Sequence, residues 1–481
     1  MIDCVIKNGT VVTPNGLLKG GLGVDKGLIV AVGPDETLPT DAGRIIDAKG
    51  LVVIPGFVEV HAHVGMGHVK YDFQESWRLQ WETESEAAIH GGVTTFRTNL
   101  SRNEPYLPII DEYIEWAAAN SYVDFGIYPA LTQRYHVDEI VPMAEKGMPH
   151  WKAFYDPYQG DEGIQIGVGS CDSANLWLAF ERFREAGIPG IVLIHAEEFA
   201  LYKMIEARLK EQGRTDMRAW SESRPSICEA MKIEAGAMIC REAGQGEGAS
   251  LYIVHLSTRE GADIIKKYQS QGLRILAETC PSLLTHTMDD GDKVGVWGKV
   301  NPPFRAKEDH LRLWAGLREG TIAAMGTDHC AYPQEDKEGG GGKFGNVWNA
   351  MPGICGGVQH WLPVLFTEGV LKNHLSLEQM VKICCENNAK IFGHYPQKGV
   401  LQPGSDADVV IFDPETKKTI GDGFYKGLNK TFSLYWGDEL RGFPVLTMSR
   451  GEVVMENGKT VAKKGRGKFV PSFAAHQSNP S

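Results

Sequence analysis

A chain of 481 residues, 42% hydrophobic and 23% charged, can bury a large core and has the composition of an ordinary globular protein. Its net charge of −12 excludes the basic surface that nucleic acid or an anionic membrane would require. No apolar run reaches the ~18 residues of a membrane span, no basic-then-apolar leader opens the chain, and the nine cysteines contain no C-x-x-C, so a reduced, cytoplasmic protein is expected.

In chain order, the first fifty residues predict short antiparallel strands. VIKNGTVVTPNG, GLIVAVG and IIDAKGLVVIPG are apolar stretches punctuated by Gly9, Asn15-Gly16, Gly27 and Gly50. The pattern then changes. VVIPGFVEV, VTTFRTNL, DFGIYPAL, HWKAFY, GIVLIH, LYIVHL, LRILAE and TIAAMGTD read as strands, with helical stretches such as ANLWLAFERFREAG and REGADIIKKYQSQG between most of them. Strand then helix, repeated about eight times, predicts an α/β protein with a (β/α)₈ TIM barrel over residues 55–395. A doubly wound sheet would place a Gly-rich phosphate turn after its first strand, where this chain has a histidine pair. GVLQPGSDADVVIFDP and VLTMSRGEVVMENGKTV resume the strand pattern, so 1–54 and 396–460 are expected to form one small β-sandwich around the inserted barrel. Residues 461–481 read as a tail, either flexible or packed on a neighbouring subunit.

Catalytic groups of a TIM barrel sit at the C-terminal ends of its strands. There the chain places His61 and His63 after the first strand, Lys152 in the fourth, His195 and His255 at the fifth and sixth, and Asp328 at the eighth. Singly these signals are weak: fifteen histidines in 481 residues give about half an H-x-H pair by chance, and Asp328 alone could cap a helix. Together they form a donor set suited to Zn²⁺, Mn²⁺, Fe²⁺ or Co²⁺. Lys152, between aromatics, is either an ion-paired or rim-seeking lysine or a desolvated amine that captures CO₂ and bridges two metals as a carbamate.

These motifs resemble the cyclic amidohydrolases of the amidohydrolase superfamily: hydantoinase, dihydropyrimidinase, allantoinase and dihydroorotase. The resemblance runs through PGFVEVHAH, AAIHGGVTT, the lysine strand, IHAEE, SRP, YIVHLS, AETCP, NPPFR, GTDH, MPGI and the closing GVLQPGSDADVVIFDP. It implies hydrolysis of a small cyclic amide or imide at two divalent ions, zinc first among them. His61, His63, Lys152 and Asp328 would hold one ion, and Lys152, His195 and His255 the other, with Lys152 as the bridging N6-carboxylysine. Asp328 would take a proton from a bridging hydroxide and pass it to the leaving nitrogen. Asn301 and Asn349 fall where the family contacts the substrate's amide edge, although both also read as turn formers. A homo-oligomer, dimer or tetramer, is implied by the same analogy.

The sequence also departs from that pattern. Glu59 replaces the usual Asp before the first histidine, and Val64 stands near where dihydroorotases carry an arginine. Tyr155 and Tyr158 are both candidates for the oxyanion-supporting tyrosine, neither in register. The segment 64–85, with His68, Tyr71 and two tryptophans, reads either as a lid or as a packed loop, and GGGGKFG as a loop over the site rather than a phosphate loop. A dihydroorotase- or allantoinase-like ring hydrolase, a mononuclear deaminase using Glu198, and a non-catalytic assembly protein are the alternatives.

Overall fold

The computed structural model describes residues 1–65, 72–156, 169–428 and 430–472. His68, Tyr71 and Tyr158 therefore lie outside the described residues. The chain opens with β1 (Ile2–Thr13), β2 (Gly16–Asp25), β3 (Leu28–Gly33), β4 (Ala42–Asp47) and β5 (Val52–Pro55). The barrel strands follow: β6 (Phe57–Glu59) with its extension β7 (Ala62–His63), β8 (Val93–Leu100), β9 (Asp124–Pro129), β10 (His150–Tyr155), β11 (Ile191–Ala196), β12 (Ser250–Ile253), β13 (Ile275–Thr279), β14 (Ala324–Met325) and its extension β15 (His329–Cys330). The chain returns to the first sheet with β16 (Val409–Thr419), β17 (Glu439–Ser449), β18 (Glu452–Glu456) and β19 (Lys459–Thr460).

The two chain ends meet where β5 pairs antiparallel with β16, Val53 opposite Ile411, in a sheet ordered β19-β18-β17-β16-β5-β1-β2-β3. Ile6, Val11, Leu22 and Val53 share one core with Val409, Ile411 and Leu446, so neither end buries its apolar face without the other. The passage from this sheet to the barrel is one residue, Gly56. A Cβ there would lie 2.0 Å from Thr94 Oγ1, so only glycine lets the strand turn so close to its neighbour.

The barrel strands are parallel throughout, with Phe57 opposite Val93, Thr95 opposite Asp124, His150 opposite Ile191, and a single bridge joining Ala130 to Lys152. Pairing of His329 with Ala62 closes the ring. Strand alternation sorts each side chain. Trp151, Ala153 and Tyr155 pack outward into the layer shared with the helices, which leaves His150, Lys152 and Phe154 pointing inward. Inward-facing Val58, Tyr128, Leu193, Tyr252 and Leu276 fill the lower interior, which Ile391 and Phe392 close from below.

Two expectations change here. Trp77 and Trp81 belong to the helix Phe73–His90, capped by Asp72, and stack edge-on at 5.7 Å in the fully buried layer against Phe96 and Phe125. They are core, because a spacing of four places them on one helix face. The start of the tail packs on its own chain: Phe125 N donates to Lys468 O at 2.9 Å and Val470 N to Phe125 O at 2.8 Å. The glycine run lies against the turn near 296, where Val296 N donates to Lys343 O at 2.8 Å and Lys343 Nζ sits 4.4 Å over Trp297. Among the described residues no helix is long and apolar enough to cross a membrane.

Candidate metal centre

The upper barrel interior gathers four histidines from three strand ends around one carboxylate. Asp328 Oδ1 lies 2.9 Å from His63 Nε2 and 3.4 Å from His61 Nε2. Lys152 Nζ donates to His61 Nε2 at 3.1 Å and sits 5.2 Å from the Phe154 ring centre. The His255 ring is 5.3 Å from His61 and 4.5 Å from His195. Donor atoms of His61, His255 and Asp328 all fall within 4.8 Å of one another, as do those of His63, Asp328 and Cys330. All of these groups are buried.

Orientation comes from carboxylates placed behind the rings. His61 Nδ1 bonds Glu278, whose other oxygen accepts from Tyr252 Oη at 2.8 Å, so Nε2 is the nitrogen His61 turns to the cluster. His195 Nε2 is held at 2.9 Å by Glu197, which directs its Nδ1 elsewhere. Glu59 acts on backbone rather than on a ring, accepting from His61 N at 2.8 Å and from Thr327 N at 3.1 Å, and so ties the first strand end to the eighth.

Burial controls the charges. It holds the imidazoles of His61, His195 and His255 below their usual range and therefore neutral, with a lone pair available. Burial would raise Asp328, but His61 and His63 outweigh it and keep the carboxyl below its ordinary value. Lys152 is pushed down to about 8 by burial, while Glu278 and Glu59 are each pushed up to about 8 by the same cause.

This donor set fits divalent ions. Neutral imidazoles surround an ionised carboxylate, and among the described residues His255 Nδ1 has no hydrogen-bond partner. Two of the residues also occupy the left-handed backbone region that non-glycine residues avoid, His255 at φ 37° and Asp328 at φ 50°. Such strain persists only where surrounding structure enforces it, and it collects at functional sites.

The substrate-contact candidates separate. Tyr155 faces away from the imidazoles, its hydroxyl 2.8 Å from Ser173 Oγ and its ring 4.7 Å from Lys232 Nζ, because it is three residues from Lys152 on a strand of period two. Asn301 is buried in the loop after Lys299, whereas Asn349 is exposed in a turn, its N–H donating to Asn346 O at 3.1 Å. Lys337 clamps these two loops, donating to Lys299 O at 2.6 Å, Met351 O at 2.9 Å and Gly353 O at 2.8 Å. Sequence reasoning did not assign Glu278, Glu197, Cys330 or Lys337. The inward phase of β13 could have flagged Glu278, two residues beyond Leu276.

The amidohydrolase family profile matches residues 253–454. L-hydantoinase of Paenarthrobacter aurescens is 34% identical over 475 residues, covering 98% of each chain. D-phenylhydantoinase of Escherichia coli is 32% identical over 490 residues, covering 97% of each. The solved L-hydantoinase (dihydropyrimidinase) from Arthrobacter aurescens superposes with a TM-score of 0.88 at 32% identity, over 98% of this chain and 100% of that one. The chain belongs to the amidohydrolase family, with its TIM barrel and β-sandwich. Within that family it stands with the hydantoinases and dihydropyrimidinases, as a hydrolase acting on cyclic amides.

Proposed function

We propose that the protein opens the amide bond of a hydantoin, a dihydropyrimidine or a related small ring at a two-metal centre. The observation that carries this reading is the buried set of neutral imidazoles around Asp328, with Lys152 Nζ among them at 3.1 Å from His61. His61, His63, Lys152 and Asp328 would hold one ion, and Lys152, His195 and His255 the other. When bound, the ions would polarise the amide carbonyl and acidify the attacking water, and zinc, manganese, iron or cobalt suits these donors.

Lys152 supports the bridge through its own chemistry. At about 8, its pKa leaves a useful fraction of free amine near neutrality. That amine would add to CO₂, forming an N–C bond and releasing one proton, and the resulting carbamate would supply Lys152 with anionic oxygen donors for the ions. Asp328, held ionised, accepts a proton from the attacking water and later delivers it to the leaving ring nitrogen, serving as base and then as acid. Glu278 and Glu197 keep His61 and His195 in the tautomers that present a lone pair. Asn301 and Asn349 are the candidates for the substrate's amide edge, on loops that Lys337 fixes to each other.

The deaminase alternative needs Glu198, which is engaged by Lys232 at 3.1 Å. A homo-oligomer fits the solvent-facing Ile227, Met231 and Met238 of the helix Ser226–Gly244, and light scattering reads it directly. The deciding experiment is a panel of five- and six-membered cyclic amides, followed by loss of ring absorbance with metal analysis of the same preparation. Ring opening with about two metals per chain is expected. A single metal together with release of ammonia from an amino-substituted ring would replace this reading by the deaminase one.

A further inference from the structure

Below the metal centre the barrel holds a second polar cluster that ring opening does not use. Arg97, in the middle of β8 and 1% exposed, lies against Gly126, where a Cβ would come within 2.6 Å of Nη1. One of its nitrogens is bonded: Nη1 donates to His394 Nε2 and, at 2.9 Å, to Ser472 Oγ. Among the described residues, Nε and Nη2 have no hydrogen-bond partner. Those two atoms form one edge of the guanidinium, with parallel N–H groups, and that edge grips anions in a two-point contact.

No carboxylate meets this edge among the described residues, and the titratable neighbour acting on Arg97 is the Tyr128 phenol. The acids at this end of the barrel are already engaged. Asp124, Asp406 and Asp408 surround Lys398 at 2.6, 2.8 and 3.0 Å, and Asp124 also takes Arg450. Residues 473–481, which follow Ser472, contain no Asp or Glu. Burial lowers Arg97 to about 10, which leaves it a cation at neutral pH. The faces of Phe392 at 5.1 Å and Tyr128 at 5.8 Å recover only part of the cost of desolvating it, and they cover the plane of the guanidinium rather than its edge. His394 Nδ1 likewise has no partner among the described residues.

We propose that the Nε/Nη2 edge of Arg97 binds a small monovalent anion, a halide or a small oxyanion, inside the lower barrel. Access is at hand. Ser472, which bonds Arg97, also lines a cavity of about 790 Å³ together with Lys146, Gly147, Pro149, Ile188 and Phe469. The anion neutralises a charge that the fold otherwise leaves uncompensated, so its binding is coupled to stability.

The test uses the full-length, metal-loaded protein in gluconate at fixed ionic strength, titrated with chloride, bromide, nitrate or bicarbonate. A saturable rise in Tm of about 2–3 °C is expected when the anion reaches ~100-fold its Kd. Arg97→Met should not respond, whereas an anion bound at the metal centre would shift both proteins alike. The order of the four anions tells a halide site from an oxyanion site. Bromide-soaked crystals of the unsubstituted protein should show an anomalous peak beside Nε and Nη2, which decides the matter even if the variant does not fold. Equal Tm in every anion, an equal response in Arg97→Met, or ordered water alone at that edge would overturn the proposal.

Discussion

Lys152 and Lys398 are both buried, at opposite ends of one barrel, and their surroundings drive them in opposite directions. Lys398 is ringed by Asp124, Asp406 and Asp408, and their charges raise its pKa despite burial. Lys152 has an imidazole and an aromatic face for neighbours, and burial pushes it down to about 8. Desolvation is common to both. The difference is the partner set: three close carboxylates hold Lys398 charged as a clamp, whereas at Lys152 burial outweighs the pull of Asp328 and Glu278. Lys398 fastens the returning sandwich segment to the foot of β9, while Lys152 faces the open chemistry of the strand tips.

The comparison breaks most sharply at Lys152. Lys152→Ala should reduce ring opening to background while leaving the fold intact, and added acetate or propionate should restore part of the activity by supplying the missing carboxylate. Full activity without rescue would remove the bridging role. Lys398→Met should do the reverse, lowering stability by about 3–5 kcal/mol because Asp406 and Asp408 lose their cation and Asp124 keeps only Arg450, with activity per folded molecule unchanged. Denaturant unfolding beside an assay at low temperature separates the two effects. An unchanged midpoint would mean the aspartates find another partner.

Smaller effects sharpen the same contrast. Glu278→Gln leaves the donors in place but weakens the hold on His61, and it should reduce metal affinity or activity by about 10–100-fold, read by chelator competition. Lys337→Met removes the clamp between the Asn301 loop and the segment ending at Gly353. Its signature should be a KM raised by roughly tenfold or less with kcat nearly constant, since ring binding and not proton transfer depends on those loops. A fall in kcat alone would instead connect Lys337 to the strand tip at Asp328.

Much of this molecule is legible in the sequence because its signals are periodic or terminal. The eight apolar runs recur as barrel strands, the histidines and Asp328 stand at or just past strand ends, and Lys152 lies inside the fourth strand, facing inward with them. The shared core of Val53, Val409 and Ile411 follows from matching strand patterns at the two ends. Features set by long-range geometry left no local trace. Glu278 meets His61 across 217 positions, and the strap at Lys468 binds the backbone of Phe125 without any side-chain signature. Tyr155 was readable and misjudged: counting two residues per repeat from Lys152 already sends it to the outer layer. Trp77 and Trp81 likewise declare a helical face through their spacing of four.

A crystal structure of the metal-loaded protein prepared in the presence of CO₂ tests the central claim most directly. The account predicts two ions, each bound by one oxygen of a carboxylate on Lys152 Nζ, with His61, His63 and Asp328 on one and His195 and His255 on the other. A bare ammonium at Lys152, or an ion bound without contact to it, would contradict the account.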